Sequence, residues 1–329
     1  MNTEVSNSLS VVVPVFNEEE TLPDLIRRTL AVLAGLDNPS ELILIDDGSS
    51  DNSARLIEEA VGEHPGQVRG LIFNRNYGQH MAVMAGLEAS RGEVIVTLDA
   101  DLQNPPEEIP RLLAAAAEGY DVVGSVRRNR QDPLFRRLAS RLVNRITARA
   151  TGVKMTDYGC MLRAYSRTVV DAILQCGERS TFIPVLGNSF ARRTTEIEVD
   201  HSERGAGTSK YGLLSLINLQ FDLLVNTSTF PLRVLSVLGI FICLLGVGFG
   251  LFLILMRLIL GAVWAAQGVF TLFAVLFIFV GLQFVGMGLI GEYIGRIYKD
   301  VRARPRYCVS RRIGRGKLPQ RRAGKPTES

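Results

Sequence analysis

The sequence predicts an α/β domain with a mostly parallel sheet, followed by a two-helix membrane hairpin. Three observations predict it. Short apolar segments alternate with amphipathic helical ones between Leu9 and Leu98. Polar and acidic residues follow directly on those apolar segments. Residues 232–292 of the 329 are mostly apolar, whereas residues 1–231 read as a soluble α/β protein.

The elements follow in order. Leu9 to Val15 is a Val-rich strand, and Glu20 to Leu36 carries Leu22, Leu25, Ile26, Leu30 and Leu33 at helical spacing. Leu42 to Ile45, Val68 to Phe73 and Val94 to Leu98 are further strands, the last followed by a helix after Pro105-Pro106. Such βαβ alternation predicts parallel pairing. Val234 to Met256 is 23 residues without a charge, about 35 Å of helix, and a hydrocarbon core needs about 30 Å. Gly268 to Gly291 is a second uncharged stretch, and Leu258 to Gly268 links the two without a charge. Arg233 precedes this hairpin and an Arg-rich tail follows it, so the positive-inside rule expects both ends in the cytoplasm.

Net charge is +4 and unevenly spread. From Arg296 onward twelve Lys and Arg face only Asp300 and Glu328, a surplus of ten that leaves residues 1–295 at −6. A basic tail directly after a membrane segment is expected to meet an anionic leaflet rather than nucleic acid. Gly314 to Ser329, rich in Gly, Pro and Arg, is expected to be disordered. The four cysteines, Cys160, Cys176, Cys243 and Cys308, form no C-x-x-C pair, which argues against a disulfide framework or a zinc site. The first apolar run is too short for a signal peptide.

In open parallel sheets, ligands bind beyond the carboxyl ends of the strands. Pro14-Val15-Phe16-Asn17-Glu18 closes the first strand, Asp46-Asp47-Gly48-Ser49-Ser50-Asp51 follows the second, and Asp99-Ala100-Asp101-Leu102-Gln103 follows the fourth. Neither G-x-G-x-x-G nor a P-loop is present, which counts against a nicotinamide enzyme or a P-loop NTPase. An acidic edge repels a diphosphate unless a cation intervenes. Asp99 and Asp101 can point to one side of an extended segment, and hard oxygen ligands favour Mg²⁺ or Mn²⁺.

This set of strand ends resembles the family 2 glycosyltransferases of GT-A fold, and within them the polyprenyl-phosphate glycosyltransferases related to dolichol-phosphate mannose synthase. A narrower resemblance, to the bacterial undecaprenyl-phosphate 4-deoxy-4-formamido-L-arabinose transferases of lipid A modification and polymyxin resistance, rests on four segments. They are Asn74-Arg75-Asn76-Tyr77-Gly78-Gln79-His80, Asp157-Tyr158-Gly159-Cys160-Met161-Leu162-Arg163-Ala164-Tyr165, Glu178-Arg179-Ser180-Thr181-Phe182-Ile183-Pro184 and Glu292-Tyr293-Ile294-Gly295-Arg296-Ile297-Tyr298. The resemblance implies a nucleotide pocket of Pro14, Phe16, Glu18, Asp47 and Ser49, continuing into Asp99, Ala100 and Asp101. It implies a metal and diphosphate corner of Asp99, Asp101 and Gln103, and a loop of Arg204, Ser209 and Lys210 closing over the donor, with Gly205 and Gly207 as hinges. It also implies a UDP-sugar donor, an undecaprenyl phosphate acceptor, inner-membrane lipids as surroundings and a homo-oligomer. The expected domains are a catalytic domain over 1–211, a juxtamembrane segment over 212–231 that is amphipathic from Leu213 to Val225, a hairpin over 232–292 and a basic cytoplasmic tail over 293–329.

Arg127 to Arg149 holds eight arginines against Asp132 alone, with Leu134, Leu138, Leu142 and Ile146 every fourth residue. That is a basic amphipathic helix, expected over 134–150 and suited to a membrane interface. Guanidinium forks match phosphate oxygens, and the resemblance gives Arg127, Arg136 and Ser140 the lipid phosphate. Asp157 would steady the sugar or the developing positive charge rather than act as a base. Glucose or another hexose is an alternative sugar. A processive polysaccharide synthase would carry Q-x-x-R-W, which is absent; a non-enzymatic nucleotide-sensing adaptor would not need the arginine helix. Arg136→Ala is expected to raise the KM for the lipid phosphate far more than that for the nucleotide sugar, measured by steady-state kinetics. Equal rises would remove the lipid-phosphate assignment.

Overall fold

The computed structural model describes residues 8–127, 160–176, 182–199, 230–260, 269–301 and 305–314. Two compact units emerge. One carries a sheet and the other two long helices, and each is described by itself.

The sheet unit begins β1 (Leu9–Val15), α1 (Leu22–Ala34), β2 (Ser40–Asp46), α2 (Ser53–Glu63), β3 (Val68–Phe73), α3 (Gln79–Ala89) and β4 (Val94–Thr97). A 3₁₀ turn, Pro106–Glu108, leads into α4 (Ile109–Ala117), and β5 (Val122–Arg127) follows. After Cys160 come β6 (Arg163–Ser166), α5 (Arg167–Gln175), α6 (Ile183–Phe190) and β7 (Thr194–Val199). The strand order is β7-β5-β6-β4-β1-β2-β3, with a further strand beside β3.

β1 pairs in parallel with β2 on one side and β4 on the other, and β2 pairs in parallel with β3. The chain therefore winds outward from β1 to β3, then crosses back through α3 to β4. β6 runs antiparallel to both β4 and β5, and β5 is parallel to β7. Two antiparallel steps restore direction, so the carboxyl ends of β5 and β7 share an edge with those of β1 to β4. The start of β6 meets the same edge. The mostly parallel sheet expected from the βαβ alternation is present.

Alternation along the strands feeds two cores. Val11, Val13, Leu42 and Leu44 face one set of buried residues with Leu25, Leu33, Ile57 and Leu112 from α1, α2 and α4. Val12, Ile43 and Ile45 face the other, with Val83 and Leu87 of α3 and Val170 and Ile173 of α5. Each such fully buried aliphatic side chain contributes about 1.5–3 kcal/mol of transfer free energy. α1 is shorter than the Glu20–Leu36 expected. Pro23 sits in its first turn, where no N–H is needed, and residues 17–21 belong to a loop on the active edge. α3 packs so closely that a Cβ on Gly86 would lie 2.2 Å from Val12 Cγ1 and 2.8 Å from Ile45 Cδ1.

The tail departs from the expectation of a purely charged extension. Val309–Ile313 forms β8, antiparallel to β3, pairing Gly70 with Ile313 and Phe73 with Val309 across an irregularity between Ile72 and Phe73. The pairing gives β3 a partner on its otherwise open edge. Arg311 ion-pairs with Glu58 of α2. The expected disordered segment beyond Gly314 lies outside the described residues.

The second unit holds α7 (Phe230–Leu260) and α8 (Val269–Val301). Each is long and apolar enough to cross a membrane, over Val234–Phe252 and Ile278–Gly295. Large apolar side chains such as Val237, Leu244, Leu258, Ile278 and Val285 are exposed, the pattern of a surface made for lipid rather than water. α7 runs on through Leu258 into the segment expected to link the helices. The expected 134–150 and 213–225 helices lie outside the described residues.

Gly86→Val is expected to destabilise the sheet unit by about 1–3 kcal/mol through overpacking against β1 and β2, read as a lower apparent Tm of the purified protein. An unchanged Tm would contradict the close approach.

Candidate active site

β1 and β4 diverge in the direction of their onward connections, so a crevice opens beyond their carboxyl ends. The loops there are tied to one another. Asp47 N donates to Val15 O at 2.8 Å. Asn17 N donates to Ser49 Oγ at 3.0 Å, Ser50 N to Asn17 Oδ1 at 2.8 Å, and Glu18 N to Ser53 Oγ at 3.0 Å. Thr21 Oγ1 donates to Glu18 Oε2 at 2.9 Å and to Ala100 O at 3.0 Å, joining the loops after β1 and β4. Among the described residues, only Asn17 and Leu102 combine a side chain with positive φ, at 54° and 57°. A leucine there costs on the order of 1–3 kcal/mol, and it stands next to Asp101.

Asp99 and Asp101 flank buried Ala100 and are themselves half-buried. Gln79 Nε2 donates to Asp99 Oδ1 at 2.6 Å, and Gln103 N donates to Asp101 Oδ1 at 3.2 Å. Asp47 is 2% exposed. Its Oδ1 accepts from Tyr77 N at 2.7 Å and its Oδ2 from Gly78 N at 2.9 Å, so it clamps the loop between β3 and α3. Phe16 stands 46% exposed on the same rim, an apolar face available to a planar ring.

Comparison with known proteins agrees with this arrangement. The sequence model of glycosyl transferase family 2 matches residues 10–174, which holds β1 to β6 and the acidic rim. The chain belongs to glycosyltransferase family 2. It is 61% identical over 311 residues to the undecaprenyl-phosphate 4-deoxy-4-formamido-L-arabinose transferase of Proteus mirabilis, covering 94% of this chain and 95% of that one. With the protein of the same name from Shewanella sediminis it shares 63% over 301 residues, 92% and 91% of the two chains. Among solved structures, mannosyl-3-phosphoglycerate synthase from Rubrobacter xylanophilus superposes with a TM-score of 0.50 at 16% identity, over 72% of this chain and 76% of that one. The expected GT-A fold is the fold found.

The glycosyltransferase gathers most of the residues singled out from the sequence that can be described. Pro14 is buried within β1, opposite Ile45, and needs no N–H partner for the role. Phe16, Glu18, Asp47, Ser49, Asp99, Ala100, Asp101 and Gln103 lie on one edge. Arg127 ends β5, in register with Val199 at the end of β7. That puts its backbone on the same edge, two strands from β4 and so about 10 Å away. Asp157, Arg136, Ser140, Arg204, Ser209 and Lys210 lie outside the described residues.

The donor set suits a hard cation. Such an ion keeps waters and phosphate oxygens and needs only one or two carboxylates, a number that Asp99 and Asp101 could supply. Among the described residues no three His, Cys, Asp or Glu side chains converge. Gln103 stands beside the pair, its backbone N–H donated to Asp101. Gln79, Tyr77 and Gly78 had no assigned role in the sequence, because two of them act through backbone N–H groups that any residue carries. His80 follows Gln79 in α3. Its ring meets Phe182 edge-on at 5.3 Å, and burial lowers its pKa, so it is held neutral.

Burial raises the pKa of both Asp46 and Asp47, against the hydrogen bonds from Ser49 and from Tyr77 and Gly78 that favour the ionised forms. At Asp51 burial acts in the same direction, but hydrogen bonds from Ser53 and Glu19 outweigh it and the pKa falls. For a carboxyl whose folded-state pKa lies above its unfolded value of 3.8, the folded state binds the proton more tightly. Stability contributed by Asp46 is therefore lost as pH rises from that value through the raised one. Asp46→Asn is expected to flatten the fall in apparent Tm as pH rises above 3.8. A melting series with the same slope as the parent would count against it.

Proposed function

We propose that this glycosyltransferase transfers 4-deoxy-4-formamido-L-arabinose from UDP to undecaprenyl phosphate, with a divalent cation, Mg²⁺ or Mn²⁺, and with inversion at the anomeric carbon. In this reading it supplies the sugar for lipid A modification and polymyxin resistance. The observation that carries the reading is the identity above 60%, over more than nine-tenths of both chains, with two proteins of that name. The geometry supports it. A paired-carboxylate corner lies at the sheet's switch point beside an exposed aromatic ring, which suits a nucleoside diphosphate.

A bound cation at Asp99 and Asp101 would neutralise charge on the leaving diphosphate. The remaining work belongs to the chain. A phosphate monoester, with its second pKa near 6, is mostly a dianion at neutral pH, so it attacks the anomeric carbon without a general base. Direct attack displaces UDP from the opposite face and inverts the centre. The task is then to bring two anions together. Arg127, Arg136 and Ser140 are proposed to hold the lipid phosphate, and Arg204, Ser209 and Lys210 to close over the donor. Asp157 is proposed to steady the sugar.

The proposed setting is the inner membrane, with α7 and α8 as crossings and the sheet unit and tail in the cytoplasm. Sheet topology supports an even number of crossings. β7 precedes α7, β8 follows α8, and both strands belong to one sheet, which favours a chain that returns to the side it left.

Asp99→Ala is expected to abolish transfer, by at least about three orders of magnitude on loss of an electrostatic anchor, while leaving the thermal melt unchanged. Excess EDTA is expected to do the same to the parent. The decisive assay supplies undecaprenyl phosphate and compares UDP-4-formamido-arabinose, its unformylated amine and UDP-glucose. Full activity in EDTA contradicts the metal role, and preference for UDP-glucose contradicts the sugar.

A further inference from the structure

The loop from Asn74 to Gly78 has two internal ties, the Tyr77 hydroxyl donating to Asn74 Oδ1 at 2.9 Å and Arg75 lying 4.7 Å over the Tyr77 ring. Asn74, Arg75 and Asn76 are exposed, yet Tyr77 N and Gly78 N must meet the two oxygens of Asp47, and Gln79 must reach Asp99. The loop also lies directly against the turn after β2: a Cβ on Gly48, whose φ is +71°, would fall 2.3 Å from the Arg75 carbonyl carbon. A small displacement of the loop therefore loses the Asp47 clamp.

The tail supplies a further anchor. The ring of Tyr307 stacks on Phe73 with centroids 5.1 Å apart and planes 10° from parallel. Tyr77 meets the same Phe73 edge-on at 5.7 Å. Asn74 N donates to Cys308 O at 3.3 Å, so the last residue of β3 and the first of the loop are both held by residues 307 and 308. The Tyr307 hydroxyl donates to the Glu88 carboxylate on α3, and Arg306 donates to Cys176 O after α5. Tyr307 thus ties the start of the loop to the helix that follows it.

We propose that the returning tail is a positioning element of the donor site, acting through Tyr307 on the 74–78 loop; this rests on reading that loop as part of the nucleotide-sugar rim. Tyr307 sits two residues before Val309, the ladder partner of Phe73, and acts on Asp47 and Asp99 only through the loop. The segment that leaves α8 therefore sets the geometry of the donor corner.

The test uses the full chain in detergent, with Tyr307→Ala, Tyr307→Phe and Glu58→Gln. Hydrogen exchange without ligand is expected to quicken at the Tyr77 and Gly78 amides in Tyr307→Ala. UDP affinity, measured calorimetrically with Mn²⁺, is expected to fall about tenfold, with a matching rise in donor KM and an acceptor KM within about twofold of the parent. Tyr307→Phe, which keeps the stack, is expected to restore most of the affinity. Glu58→Gln, which breaks only the exposed pair at Arg311, is expected to match the parent. Tyr307→Leu keeps an apolar side chain without the stack and is read in the same way should the alanine variant not fold. Unchanged exchange at Tyr77 and Gly78 overturns the proposal, as does faster exchange with parental UDP affinity, or an equal rise in both KM values. Failure of the parent itself to bind UDP overturns the functional reading and the proposal with it. With a parent that binds UDP, parental affinity in Tyr307→Ala overturns the proposal alone.

Discussion

Every chemical group on the active edge owes its place to β1 being hydrogen-bonded to β2 on one flank and to β4 on the other. β1 is wholly buried and its Val-rich sequence has no polar alternative to the ladder. With both neighbours parallel, their connections leave in opposite directions, and the crevice between them cannot be filled by either. The loops after β1, β2 and β4 border that space, and their hydrogen bonds to one another make it a rim of fixed shape. Leu102, with positive φ in the turn beside Asp101, shows local strain tolerated where the chain must bend around the crevice.

The same rim carries an electrostatic cost. Asp46 and Asp47 are buried side by side, and burial makes their charges unfavourable, yet each is committed to backbone N–H groups. At Asp47 a carboxyl serves where an asparagine could not: an asparagine would turn an NH₂ towards one of the two donors, Tyr77 N or Gly78 N. Asp99 and Asp101 lie nearer solvent, where a charge costs less and can be neutralised on binding. Two pairs of aspartates after two strands thus serve different ends. The β2 pair holds loops in place, and the β4 pair faces the crevice.

The strands β1 to β4 were legible because burial on both faces leaves an unbroken apolar run, and the acidic loops were legible because turn residues and carboxylates mark where such a run ends. β8 was not legible. Val309-Ser310-Arg311-Arg312-Ile313 is an edge strand with its arginines in solvent, so its pattern is that of a charged tail. Its partner, the edge of β3, is set by tertiary pairing alone. The loop after β3 stood out as a resemblance, but its function escaped the side-chain reading because Tyr77 and Gly78 contribute backbone donors. Gln79 could have been found from the sheet's geometry: it opens the helix after β3, facing the edge where Asp99 ends up.

The returning strand also changes how the chain's ends relate. A tail read as a polyelectrolyte has only its charge to offer, and charge is screened within about 10 Å at moderate salt. A tail hydrogen-bonded into the sheet transmits position instead, because a ladder fixes register to within one residue. Arg311 is spent on Glu58, and Ile313 lies beside Gly70, where a Cβ would approach its side chain at 3.5 Å. The fit of Ile313 against a glycine and the stack of Tyr307 on Phe73 bracket the strand at its two ends. Between them the basic residues point outward, so a sequence dominated by arginine is held in place by its few apolar and aromatic members.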